Sequence, residues 1–230
     1  MCEPSKILTW LTERVQMRHS RRKTMAAIVS GAMRLQGTGV LALGRAMGGP
    51  AKAKHRIKRV DRFLGNAQVE IDALSEAMFH QLRPKNGRVV VLADWTDRQD
   101  FQQLALALPR GRRVLPSYCI TVEKRDDSGK HDGLMIQTER EALDALARFS
   151  GDTITPIVIA DRGFENTRWL AQIAKRGWHF VQRLACNHIV NVERHIGLLS
   201  ELGIRRGWRE PDWARLSRLR RVQCRRSPGP

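Results

Sequence analysis

Two short apolar runs, each closed by an aspartate, constrain this chain more than any other feature. Arg88 leads into Val-Val-Val-Leu-Ala93 and then Asp94, while Pro156 leads into Ile-Val-Ile-Ala160 and then Asp161. An uninterrupted apolar run of this length, bounded by turn residues, reads as a buried strand. Each aspartate is therefore expected to be the first residue beyond its strand.

The segments around these runs carry their own periodicities. Phe101 to Leu108 is apolar and alternates, Pro109 to Gly111 turns the chain, and Arg113 to Val122 is a further strand before a polar loop, Lys124 to Gly133. Gln137 to Arg148 is helical in pattern, with Leu143, Leu146 and Ala147 on one side. After the second apolar run come a helix, Asn166 to Lys175, and a strand, Trp178 to Leu184. The order of three strands, helix, strand, helix, strand predicts an α/β fold with a mixed sheet. That is the pattern of a ribonuclease-H-like core, although short apolar runs can be assembled in other α/β ways.

Upstream, the chain is helical and basic. Ile7, Leu8, Leu11 and Val15 recur at helical spacing, as do Met25, Ile28, Val29, Ala32 and Met33. In the next helix Ile57, Val60, Phe63 and Leu64 share a face, while Lys54, Arg56, Lys58, Arg59 and Arg62 spread around the rest. Such a run is either a solvated face or a set of contacts to backbone phosphates. An amphipathic segment through Ile71, Leu74, Met78 and Leu82 completes the region. Thr24 to Gly44 is apolar enough to invite a membrane reading, but Gly31, Gly37, Gly39 and Gly44 break it up, and two short helices joined at Gly37-Thr38-Gly39 describe it better.

Charge sharpens this division. The chain has 41 Lys and Arg against 23 Asp and Glu, a net +18. Residues 1–62 hold 14 basic and three acidic residues, residues 203–230 hold nine and two, and residues 63–202 hold 18 of each. A basic helical region over 1–80, a neutral core over 81–205 and a basic, irregular tail over 206–230 follow. Excess charge of this size expects a polyanion, while 42% hydrophobic content with six Trp and six Phe excludes an unfolded basic chain. The four cysteines lack paired spacing, so neither a zinc ribbon nor a disulfide framework is indicated, and a reducing cytoplasm is the expected compartment.

If the two apolar strands are parallel neighbours, Asp94 and Asp161 emerge at one sheet edge, where open α/β sheets place their ligands. Two adjacent carboxylates repel unless a cation sits between them, and hard oxygen donors suit Mg²⁺, with Mn²⁺ as a substitute. A pair of such ions can activate an attacking oxygen and stabilise a leaving one at a phosphodiester. The plainer reading is that each aspartate caps the turn that follows it.

The flanking residues point further. Asp94-Trp95-Thr96-Asp97 and Asp161-Arg162-Gly163-Phe164, each after its apolar run, resemble the first and second acidic motifs of bacterial DDE transposases of the insertion sequence 4 family. Lys58-Arg59-Val60-Asp61-Arg62-Phe63-Leu64 is similar to the segment preceding the catalytic core of that family, and Phe180-Val181-Gln182-Arg183-Leu184 to the strand after the second acid. The resemblance spans about residues 20–205. It implies a ribonuclease-H-like core in which Asp94 and Asp161, with a glutamate, hold Mg²⁺ and act on DNA at terminal inverted repeats and target sites. Thr96 and Asp97 would orient Asp94 or hold water, and Arg162 would contact a phosphate or balance a carboxylate. Members of the family pair two transposon ends, which implies a homo-oligomer on DNA in the bacterial nucleoid, with no membrane partner.

The chain departs from the family at the third acid. The family glutamate lies in a Tyr-x2-Arg-x3-Glu-x6-Lys signature, whereas the only tyrosine here is Tyr118 and no lysine follows Lys175. Glu165, Glu193, Glu201 and Glu210 are poor substitutes by spacing. The Arg-rich end, Trp208 to Pro230, is expected to be a truncated or frameshifted tail, a DNA-binding arm having the same composition. The functional expectation is a transposase with little or no activity, and the rival is a DNA-binding regulator derived from one. Trp95, Trp169 and Trp178 are expected to pack, and His179, His188 and His195 with Cys186 lack metal-site spacing.

Overall fold

The computed structural model describes residues 3–35, 39–67, 69–124, 131–164 and 167–183, and the backbone of 188–192, 195–198 and 225–226. The chain separates into two compact units, Met1–Gln81 and Leu82–Pro230. Among the described residues it is a mixed α/β protein with seven helices and a five-stranded mixed sheet.

The first unit is helical: α1 (Pro4–Arg14), α2 (His19–Ala32), α3 (Val40–Ala46), α4 (Ala53–Leu64) and α5 (Ile71–Leu82). Pro4 opens α1, where its missing N–H leaves no helical hydrogen bond unmade. Two small cores hold the bundle. Leu11, Val15 and Met17 pack with Ala26 of α2 and Ala77 of α5. Ile28, Leu43, Met47 and Val60 join α2, α3 and α4. Of the apolar face expected on α4, Val60 is completely buried, Ile57 and Phe63 are half-buried, and Leu64 is exposed. Leu64 is the last helical residue.

Helices α3 and α4 approach closely at a glycine. A Cβ on Gly44 would lie 2.5 Å from the Cα of Ile57. Only glycine lets the two backbones cross at that distance.

In the second unit, β1 (Gly87–Arg98), β2 (Phe101–Arg110) and β3 (Arg113–Glu123) form an antiparallel meander, α6 (His131–Ser150) follows, then β4 (Ile154–Ala160), α7 (Thr167–Lys175) and β5 (His179–Gln182). The sheet order is β3-β2-β1-β4-β5, with β4 parallel to both β1 and β5. A second sheet joins β6 (His188–Val192) to β7 (His195–Leu198) and to β8 (Arg225–Arg226). No described helix is long and apolar enough to cross a membrane.

Three expectations are corrected. First, β1 does not stop before Asp94 but runs on to Arg98, because pairing with β2 continues from Asp94↔Ala105 to Arg98↔Phe101 after pairing with β4 ends at Ala93↔Ala160. Second, Pro109 lies within β2, opposite Val114, and the turn falls at Gly111, whose φ of +61° suits glycine. Pro109 is tolerated there because β1 pairs with β2 only as far as Ala107, so no partner on that side needs its missing N–H. Third, α6 begins at His131, which shortens the polar loop; residues 125–130 lie outside the described residues.

One sheet face carries Val89, Val91 and Ala93 of β1, Leu104 and Leu106 of β2, and Val158 and Ala160 of β4, all buried. It lies under α6, whose Ala142, Leu143, Ala145, Leu146 and Phe149 are buried at helical spacing. Phe149 meets Tyr118 of β3 edge-on with ring centroids 5.7 Å apart. Trp169 and Ile173 of α7 are also buried, and Trp169 lies against Phe164 at 4.9 Å.

Gly44→Ala is expected to destabilise the first unit by about 1–3 kcal/mol, the cost of overpacking, against a helix-propensity gain of at most ~1 kcal/mol. Gly48→Ala, which meets nothing within 4 Å, is expected to change stability by less than about 0.5 kcal/mol. Denaturant unfolding of the two variants beside the parent checks the difference.

Candidate functional site

The parallel register of β1 and β4 decides where the two aspartates stand. Val89↔Pro156, Val91↔Val158 and Ala93↔Ala160 are aligned, so Asp94 and Asp161 occupy the next position on neighbouring strands. Adjacent strands lie about 4.8 Å apart. Both aspartates are exposed and follow a buried alanine; Asp161 is the first residue past β4, while Asp94 lies within β1, at the point where its pairing with β4 ends. Strand alternation sets Asp94 on the face of Leu92 and Thr96, opposite the face covered by α6.

The two carboxylates differ in local support. Asp161 is followed by a single 3₁₀ turn, Arg162–Phe164, and its Oδ1 accepts a hydrogen bond from the Gly163 N–H at 2.8 Å. A Cβ at residue 163 would sit 3.1 Å from that same oxygen, so glycine keeps the turn tight against the carboxylate. Asp161 is therefore a turn cap through Oδ1, while Oδ2 has no partner among the described residues. Asp94 makes no side-chain hydrogen bond or ion pair with any described residue. Like charges at the spacing of neighbouring strands, about 5 Å, repel by roughly 1 kcal/mol in water-like surroundings, which a shared cation would convert to attraction.

The neighbouring motif residues divide by face. Thr96 lies on the Asp94 face, half-buried. Asp97 lies on the other face, where its Oδ1 accepts from Gln102 Nε2 at 2.9 Å and stands 3.5 Å from Lys124 Nζ. It holds the end of the β1–β2 hairpin and does not face Asp94. Arg162 is exposed in the turn and pairs with neither aspartate. Trp95 packs toward α6, and its Nε1 donates to Glu139 Oε1 at 3.4 Å.

Glu139 has no signal in the sequence. Only 3% of it is exposed, at mid-helix in α6. Its polarity places it with the solvated side of the helix, and no local pattern announces the indole N–H that meets it from β1. The glutamates considered as a third acid, Glu165, Glu193, Glu201 and Glu210, lie outside the described residues. So do the side chains of Cys186, His188 and His195. Among the described residues no three His, Cys, Asp or Glu side chains gather as a possible metal site. The donor set is thus two hard carboxylates, which fits part of a Mg²⁺ or Mn²⁺ coordination shell.

The basic helix α4 also divides into roles. Arg56 is a clasp: Nε donates to the Gly44 carbonyl at 3.2 Å, Nη1 to Ala51 at 2.9 Å and Gly49 at 3.2 Å, and Nη2 to Arg45 at 3.4 Å. These carbonyls belong to the last turn of α3 and the loop after it, where helical partners run out and a positive charge is favourable. Arg56 is therefore withdrawn from the expected DNA-contacting set. Arg59 donates through Nε and Nη2 to Thr24 Oγ1 at 3.0 and 2.8 Å. Lys54, Lys58 and Arg62 are exposed and make no ion pair with a described residue.

The chain matches no protein-family model and no curated protein.

Arg56→Met is expected to lower stability by about 0.5–1.5 kcal/mol, because it removes four hydrogen bonds, of which the one to the Gly44 carbonyl is part-buried and the others are exposed to water. Lys54→Met on the same helix should stay within about 0.5 kcal/mol of the parent. Denaturant midpoints decide, and an unchanged midpoint for Arg56→Met would sink the clasp assignment.

Proposed function

We propose that this chain is a DNA-binding protein of the DDE transposase type, with a ribonuclease-H-like core in its second unit and phosphodiester chemistry assigned to Asp94 and Asp161. The observation that carries the reading is the adjacent position of these two aspartates, each next after the last aligned pair Ala93↔Ala160 of two neighbouring parallel strands, in a sheet of order β3-β2-β1-β4-β5. Meander, helix, parallel strand, helix, parallel strand is the order that the ribonuclease-H-like reading requires. The net charge of +18, concentrated in the helical region and the tail, supports a polyanionic partner.

Asp94 and Asp161 would hold Mg²⁺ or Mn²⁺ through carboxylate oxygens that have no partner among the described residues. A divalent ion there supplies charge neutralisation at the phosphate and a more acidic attacking water. The protein's own part is to bind and orient the DNA. Gly163 fixes Oδ1 of Asp161 and leaves Oδ2 available as a ligand. Thr96, on the same face as Asp94, is placed to orient water beside it.

A DNA-binding regulator without catalysis is the second reading. It is favoured by one observation: no third acidic side chain joins the pair among the described residues. Two carboxylates leave a pair of metal ions short of oxygen donors, so turnover is expected to be slow.

Incubation of the full chain with supercoiled plasmid and Mn²⁺ tests the assignment. Slow nicking is expected, falling to background in Asp94→Asn and in Asp161→Asn while DNA binding persists. Nicking that survives both substitutions would overturn the carboxylate assignment. Binding without any nicking in the parent chain would establish the regulator reading instead.

A further inference from the structure

Between α2 and α4 lies a groove of about 440 Å³ whose lining includes Arg21, Thr24, His55, Lys58, Arg59 and Arg62. On α4 the lining positions are 55, 58, 59, 62 and 63, which is one helical face. On α2 they are 20, 21 and 24, the matching face across the groove. Among the described residues no acidic side chain lines it. Arg21 is bound by Glu70 at 2.6 Å, which leaves Lys58, Arg59 and Arg62 as cations with no ionic partner among the described residues.

The floor of the groove is pre-ordered. Thr24 is only 8% exposed, and its hydroxyl donates to the Ser20 carbonyl at 2.9 Å while accepting from Arg59 Nε and Nη2. A guanidinium has five N–H donors, so this chain of bonds orients Arg59 and leaves three donors for a ligand. Planar donors held in place suit a bidentate oxyanion, and a phosphate above all. A groove of about 440 Å³ has room for a phosphate with its adjoining sugar. Phe63 supplies an apolar wall against which a sugar can lie.

We infer that this groove clasps one phosphodiester segment of duplex DNA, with Arg59 as the oriented fork, Lys58 and Arg62 as flanking cations, and Thr24 as the positioning residue for Arg59. The commitment to DNA backbone rests on the DNA-binding function proposed for the chain and on charge complementarity. Residues 1–62 hold 14 basic and three acidic residues, so the surroundings favour an extended polyanion over a single small anion.

The test measures binding of the full chain to a fluorescent duplex across a salt series, with thermal unfolding to confirm folding. Thr24→Val and Arg59→Lys leave the net charge unchanged, and each is expected to weaken binding about 3- to 10-fold. Lys58→Gln with Arg62→Gln is expected to reduce the salt slope by about 2, since each phosphate neutralised by a cation contributes about 0.9. Lys6→Gln on α1, outside the groove, should stay within twofold of the parent. If the parent binds duplex and both charge-neutral variants match it while folded, the groove assignment fails and the DNA-binding function stands. If the parent does not bind duplex, both fail. Weaker binding of inorganic phosphate or a mononucleotide in these variants, with duplex binding intact, would make the groove a small-anion site and overturn the assignment to DNA.

Discussion

The parallel pairing of β1 with β4 is the interaction on which the second unit depends. Its residues alternate between a face buried under α6 and a half-covered opposite face, so the register from Gly87↔Ile154 to Ala93↔Ala160 has little freedom to slip. A shift of β4 by one residue would turn Ile154, Val158 and Ala160 out of the core together. The hydrophobic demand of that face therefore holds Asp94 and Asp161 side by side, although neither contributes to the core. Beyond Ala93 the two strands part: β1 stays with β2, and β4 passes into the turn that Asp161 caps. The acidic pair stands at that divergence.

In the helical unit a comparable constraint acts through close backbone packing. Gly44 lets α3 approach α4 to van der Waals distance, and Arg56 gathers the carbonyls at the end of α3 into one guanidinium. Both tie α3 to α4. The rest of α4 then turns Lys58, Arg59 and Arg62 toward α2. A helix with five expected DNA contacts becomes a helix with separate tasks: Arg56 holds the fold, Arg59 is held by it, and Lys54, Lys58 and Arg62 remain open to solvent.

Most elements are legible in the sequence because their signals are local. The runs Val89–Ala93 and Ile157–Ala160 are apolar throughout, the meander has a turn between each pair of strands, and Ala142, Leu143 and Leu146 recur at helical spacing. Misplacements have specific causes. The last five residues of β1 are mostly polar and suggest an end at Ala93, yet they remain a strand through their bonds to β2. Pro109 looks like a turn residue because a proline costs a ladder bond, and no such bond is required of it where pairing with β1 has already ended. Glu139 is invisible because a buried carboxylate looks like any solvated one until the indole N–H of Trp95 lies across from it.

The sequence by itself determined that a neutral α/β core follows a basic helical region, and that two aspartates follow its two most apolar runs. It also determined the net charge and hence the kind of partner to expect. Those properties depend on composition and short-range period. Only the tertiary structure decided that the two runs are neighbours in register, that Asp97 turns away from Asp94, and that Arg56 serves the backbone while Arg59 is aimed into a groove. Each of these depends on which distant backbone or side-chain group a residue meets, and meetings between residues far apart in the chain leave no periodic trace along it.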